Sequence, residues 1–250
     1  MNKHNRTLYV KTRGGICNRL NNIINGLYYH EKYSFDKLCI VWIHNNHCLA
    51  SFGQLFARSD FDVLPAGSER AQIAAPFKGC RPTTNGGKLE KKYEHLLMGN
   101  KDCHLLEDPF LHPNIPTEKV MELISTKMPR PSPHLQGRID NLILNKNLQP
   151  DTYIGVHIRR TDLPLVQQKP NRFYAEHIRE ALKENKDQKF FLCSDDSRVE
   201  TDMYSLFPSN ILLNPKRHQP TGEGVFIFRS ARATQNGLID LFLLSQSSRI

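Results

Sequence analysis

The chain has 250 residues, enough for one large α/β domain or two small ones, and its 39% hydrophobic and 24% charged residues are ordinary for a globular protein. A net charge of +9 favours an anionic partner such as nucleic acid, a membrane surface or a phosphorylated substrate, yet Lys and Arg are scattered, without the basic block or aromatic-spaced motif of a nucleic-acid binder. The six cysteines show no CxxC pair and argue for reduced thiols, and with no apolar signal core or spanning segment a soluble, cytoplasmic protein is expected.

Leu8-Tyr9-Val10-Lys11-Thr12 alternates as a strand should, and Arg13-Gly14-Gly15-Ile16-Cys17-Asn18-Arg19 follows it. Leu20, Ile23, Ile24 and Leu27 then keep helical spacing, so the order is strand, glycine turn, helix. Paired glycines let backbone approach a ligand, and a helix start offers free N–H groups to an anion. The stretch has neither a GxGxxG fingerprint nor the lysine of a P-loop, and a simple tight turn is an equal reading.

Leu38 to Ile43 is a second strand, followed by His44-Asn45-Asn46-His47-Cys48. Zinc would need a second ligand pair, and Cys103-His104 is the sole choice; the spacing fits no known pattern, so this is read as a polar loop at a strand end and no metal is expected. Phe52, Leu55 and Phe56 form a helical turn, Phe61 to Leu64 a short strand, Thr83 to Lys88 a loop, and Tyr93 to Met98 a short helix. A helix follows from Pro116 to Met128, and Pro129, Pro131 and Pro133 then interrupt any regular element. With the next helix, whose inner face is Leu135, Ile139, Leu142 and Ile143, residues 129–150 are read as a linker between domains at 1–128 and 151–250.

The second half is clearer. Tyr153-Ile154-Gly155-Val156-His157-Ile158 is a buried strand delivering Arg159, Arg160 and Asp162 at its carboxyl end, where ligands bind in open α/β sheets. Adjacent arginines suit a diphosphate because the guanidinium fork bonds phosphate oxygens in pairs. On a strand His157 and Arg159 share one face while Arg160 faces away, so one arginine is expected on phosphate and the other on a carboxylate such as Asp162. Arg160 and Asp162 are also readable as no more than a salt bridge at a strand end. A helix from Phe173 to Glu184, a strand from Lys189 to Cys193, a helix from Val199 to Phe207 and a strand at Ile211 to Leu213 imply a parallel sheet. Ser194, Asp195 and Asp196 lie at a strand end and serve either a ligand or the cap of the next helix. Asp240, in the apolar helix from Gly237 to Leu244, needs a buried partner.

Four stretches in order resemble the GDP-fucose-dependent fucosyltransferases of the α1,6 and nodulation type with their α1,2 and protein-O-fucosyl relatives. They are the glycine loop at 13–20, HIRRTD at 157–162, the strand ending Ser194-Asp195-Asp196, and the helix from Gly237 to Gln246. The resemblance covers residues 8–35 and 151–250 well and the middle poorly. It implies an α/β, GT-B-like fold of two Rossmann-like domains with parallel sheets, and inverting transfer of fucose from GDP-fucose to a glycan or other hydroxyl acceptor, without metal or other cofactor. It further implies that His157 and Asp240 contact the guanine side and that Arg159 binds the diphosphate with Arg160 in support. Ser194, Asp195 and Asp196 would lie near the nucleoside, and Gly14, Gly15 and Asn18 would close over the phosphates.

The chain departs from the family in two places. Leu163 to Gln168 holds no carboxylate where those enzymes carry their proposed base, which leaves Asp162 as the candidate. Family members also continue past Leu-Ser-Gln into a further strand and loop, so the C-terminal domain is expected to be truncated. Three other readings stand beside this one: another nucleotide sugar, a nucleotide-binding protein without turnover, and a basic nucleic-acid binder.

Overall fold

The computed structural model describes residues 6–65, 97–98, 103–105, 111–160, 169–216 and 228–250. The loop read at 83–88, most of the helix read at 93–98, and Asp162 lie outside the described residues. The chain forms two compact units, Met1–Ser132 and Pro133–Ile250.

Unit 1 is built on a parallel sheet. Strand β1 (Thr7–Thr12) pairs with β2 (Lys37–Trp42) from Thr7↔Lys37 to Thr12↔Trp42, β3 (Asp62–Pro65) lies beyond β2, and β4 (Cys103–Leu105) lies on the far side of β1. Parallel neighbours need crossovers, and helix α1 (Ile16–Lys32) supplies the first. It packs closely because residue 26 is glycine: a Cβ there would meet Val10 Cγ2 at 2.7 Å. Leu8, Val10, Ile23, Leu27, Ile40 and Trp42 form the core beneath it. A single capped turn, α2 (Phe52–Leu55), and helix α3 (Thr117–Thr126) complete the unit, with α3 held to α1 by Lys119 and Lys127 on Glu31 at 2.7 and 3.3 Å.

The proline-rich stretch is divided between the units. Phe56 bridges Pro131, and the Ser132 amide donates to the Leu55 carbonyl at 2.9 Å, all within unit 1. Pro133 then opens helix α4 (Pro133–Lys146), a position where its missing N–H costs nothing. That helix belongs to unit 2.

Unit 2 carries strands β5 (Tyr153–Ile158), β6 (Lys189–Ser194) and β7 (Ile211–Leu213), parallel and in that order. Helices α5 (Asn171–Glu184) and α6 (Ser197–Leu206) are the crossovers, and Ile158, Ile178, Leu192, Val199 and Met203 pack between them and the sheet. Helix α7 (Ala231–Ser245) crosses to β5, where the Tyr153 hydroxyl donates to the Leu243 carbonyl at 2.5 Å. Burial, with the Asp151 charge, pushes that phenol up to about 12. Gly155 is required here, since a Cβ would lie 2.8 Å from Ser247 Oγ and 2.9 Å from Leu244 Cδ2. After α7 the backbone returns along β5: the Gly155 amide donates to Arg249 O at 2.8 Å.

Candidate functional site

Because β5 and β6 are parallel and in register from Tyr153↔Lys189 to Ile158↔Ser194, both chains leave the sheet at one edge. His157, Arg159 and Arg160 come from the first strand end, and Ser194, Asp195 and Asp196 from the second. Arg159 is exposed there, and its charge helps to lower the His157 pKa. Desolvation is the main cause of that lowering, with the Lys216 charge adding to it and Asp195 and Asp240 opposing. His157 is itself exposed, so water screens part of the effect of the charges around it.

Arg160 turns away from this face. Its Nη2 donates to Asn171 Oδ1 at 2.8 Å and to the Lys169 carbonyl at 3.1 Å, so the side chain ties β5 to the start of α5. Its backbone amide donates to Asp195 Oδ1 at 2.6 Å, which joins the two strand ends. Ser194 is buried and joins them again, its hydroxyl donating to Ile158 O at 2.6 Å.

Asp196 is the N-cap of α6. Oδ1 accepts from the Arg198 amide at 2.9 Å, and the guanidinium of Arg198 reaches both oxygens at 3.1 and 2.8 Å. The guanidinium hydrogen bonds are the chief cause of the lowered Asp196 pKa, and the capping amide contributes. Of the two readings of this residue, the cap is realised.

Beneath the strand ends lies a network that sequence reasoning missed except for Asp240. Lys216 follows β7 and is 5% exposed; its Nζ donates to Glu200 Oε1 at 2.5 Å, Asp240 Oδ2 at 2.9 Å and Ser194 O at 3.0 Å. Asn214 donates to Asp240 Oδ1 at 2.9 Å, and Glu200 also accepts from the Ser194 amide at 2.9 Å. Burial raises the pKa of both carboxylates against the pull of Lys216. Burial would lower Lys216, but Asp240 and Glu200 outweigh it and hold the amine above its usual range. The buried partner required by Asp240 is therefore Lys216. The sequence signal for it was the lone carboxylate of α7; nothing near Lys216 itself marked it.

In unit 1 the glycine loop closes the first crossover. Gly14 adopts φ +84°, and a Cβ there would lie 2.9 Å from Asn18 Nδ2, so both conformation and space call for glycine. Gly15 is the N-cap of α1 and offers no side chain to the helix amides. Arg19, which sequence reasoning quoted without a role, is fully buried below the loop. The polar stretch after β2 is a turn in which Asn45 and Cys48 exchange backbone hydrogen bonds at 3.2 and 2.9 Å. No three His, Cys, Asp or Glu side chains converge on a metal position among the described residues, and no described helix is long and apolar enough to cross a membrane.

An open recess of about 570 Å3 in unit 1 is lined by Phe52, Arg58, Asp60, Phe61 and Asp62. It lies at the amino end of β3, and none of the sequence-nominated residues line it. In a parallel sheet the carboxyl ends carry the chemistry, so the β5–β6 edge remains the candidate site.

No protein-family model and no curated protein sequence matches the chain. Solved structures do. NodZ α-1,6-fucosyltransferase co-crystallized with GDP is 18% identical with a TM-score of 0.63, covering 98% of this chain and 86% of its own. NodZ soaked with GDP-fucose is 19% identical with a TM-score of 0.59, covering 96% and 84%. An arginine-to-lysine mutant of Arabidopsis thaliana FUT1 in complex with GDP is 12% identical with a TM-score of 0.60, covering 97% and 64%. The chain thus shares the mixed α/β fold of these solved fucosyltransferases.

Proposed function

We propose that the protein is a glycosyltransferase that takes fucose from GDP-fucose and passes it, with inversion, to a hydroxyl acceptor without using a metal ion. The observation that carries this reading is the β5–β6 edge, where an exposed arginine, a histidine of lowered basicity and a braced second arginine leave one sheet together. The same fold occurs in enzymes solved with GDP and GDP-fucose.

In the reaction, the acceptor oxygen forms a bond to the anomeric carbon as the bond to the diphosphate oxygen breaks. The electron pair leaves with GDP, and the hydroxyl proton passes to a base or to water. Charge grows on the diphosphate in the transition state, so a guanidinium aimed there lowers the barrier more than it tightens ground-state binding. Arg159 takes that role, in place of a metal, while Arg160 and Asp195 hold its strand end rigid. Asp162 is the candidate base. His157, exposed at the same strand end, would meet the guanine, and Asp240 acts from beneath through Lys216.

Titration with GDP, UDP and a short duplex, followed by assay of GDP release from GDP-fucose with and without EDTA, tests the proposal. GDP preference and EDTA-resistant turnover support it. GDP binding without turnover favours a nucleotide-binding protein, a reading kept alive by the absence of any carboxylate from Leu163 to Gln168.

A further inference from the structure

Arg159 has an exposed side chain, yet the backbone that carries it is held on both sides. The Ile158 carbonyl, in the peptide before it, accepts from Ser194 Oγ at 2.6 Å. The Arg160 amide, in the peptide after it, donates to Asp195 Oδ1 at 2.6 Å. Both anchors come from the end of β6. Peptide units are planar, so only the φ and ψ of Arg159 lie between the two held planes, and together they set the direction of its Cα–Cβ bond. The pair Ile158↔Ser194 is the last of the β5–β6 ladder, so side-chain hydrogen bonds take over where the backbone register ends.

Ser194 is itself immobilised. Its amide donates to Glu200 Oε1 at 2.9 Å, its carbonyl accepts from Lys216 Nζ at 3.0 Å, and its hydroxyl oxygen accepts from the Asp196 amide at 3.1 Å. The residue is 5% exposed. A serine hydroxyl has one proton to donate, and here that proton is committed to the Ile158 carbonyl, so none is left for a phosphate or a sugar oxygen. We propose that Ser194 is a positioning residue for the transfer: it holds the peptide ahead of Arg159 and thereby aims the guanidinium at the leaving diphosphate, without touching the donor itself. This inference rests on the donor reading above. Threonine would keep the hydroxyl, whereas alanine would remove it and free the peptide on one side of Arg159.

The test is a double-mutant cycle on the full chain, pairing Ser194→Ala with Arg159→Lys and read as GDP release from GDP-fucose. Ser194→Ala alone should lower kcat by about thirtyfold with donor KM within about twofold, because an aimed guanidinium counts for more in the transition state than in the ground state. In the Arg159→Lys protein the same substitution should change kcat by less than about threefold, since no fork is left to aim. Ser194→Thr should stay within about threefold of wild type. Equal losses in the two Arg159 backgrounds would overturn the proposal, as would a Ser194→Thr protein as slow as Ser194→Ala. Ser194→Cys, close in shape but with only a weak S–H donor, runs the same cycle if the alanine protein does not fold. Hydrogen–deuterium exchange, which needs no substrate, should speed up by about tenfold in the peptide spanning 156–160 of Ser194→Ala, and wild-type exchange there would overturn the proposal whatever the activity. A wild-type protein that neither binds GDP nor releases it from GDP-fucose refutes the donor reading and the aiming role with it, while the exchange data still report whether Ser194 holds the strand end.

Discussion

The two arginines after β5 are adjacent in sequence and do different work. Arg159 is exposed at the strand end, whereas Arg160 is spent on Asn171 and Lys169. Replacing Arg159 with alanine should lower kcat by about two to three orders of magnitude, as loss of one preorganised transition-state donor does. Initial rates of GDP release measure this, and near-normal turnover would refute the assignment. Asp196 should behave in the opposite way. Its oxygens cap α6 and meet Arg198, whose exposed guanidinium gives an ion pair of little worth in water. Asp196→Ala should therefore cost about 1 kcal/mol of stability through loss of the cap, read from the urea midpoint, with donor kcat/KM within about twofold of wild type. A large loss of turnover in a stable Asp196→Ala protein would return this residue to the donor site.

At the scale of elements, the Lys216 network welds β6, α6 and α7 to one another. Removing the ammonium leaves two buried carboxylates with no counter-charge, so Lys216→Met should cost about 3–5 kcal/mol. The pH dependence has a definite sign. Glu200 and Asp240 already have pKa values raised by burial, and without Lys216 they rise further. A group whose folded pKa lies above its unfolded one stabilises below the unfolded pKa and loses that contribution as pH rises through the folded value. The deficit of Lys216→Met should thus shrink as the pH falls from 8 to about 5. Urea midpoints of variant and wild type across that range check it; a constant deficit would mean that the carboxylates are not uncompensated.

Legibility in the sequence follows the same physics. Strands β1, β2, β5 and β6 are runs of β-branched and aromatic residues, and such runs read directly. Strand β4 is three residues long, too short for any period, and was missed. Helix α7 begins at Ala231, six residues before the Gly237 start that apolar spacing indicated, because its first turns bury small or polar residues, Ala233, Thr234 and Asn236, and no large apolar one. Asn236 is covered by Arg138 of α4, whose Nη2 donates to it at 2.7 Å. Motif residues at the strand ends were legible because polar side chains there break an apolar run. Lys216 and Glu200 were not, since their partners lie on separate elements and only folding joins them.

For the whole molecule, the charge of +9 raises the question of which anion it attracts. If the donor site is the reason, GDP affinity should fall only modestly between low and physiological salt, because few phosphates are neutralised. A duplex bound through many phosphates would lose affinity far more steeply, and a titration series in both ligands separates the cases. Strong duplex binding with no GDP preference would overturn the transferase reading.

The chain contains a single tryptophan, and that residue is Trp42, 1% exposed beneath the Arg19 guanidinium. Its intrinsic fluorescence is therefore a local instrument: it reports the core of unit 1 and is silent about unit 2. A denaturation curve followed by emission will describe one unit, while far-ultraviolet dichroism averages both. Midpoints that differ between the two signals would show the units melting as separate cooperative bodies, and midpoints that coincide would show them melting as one.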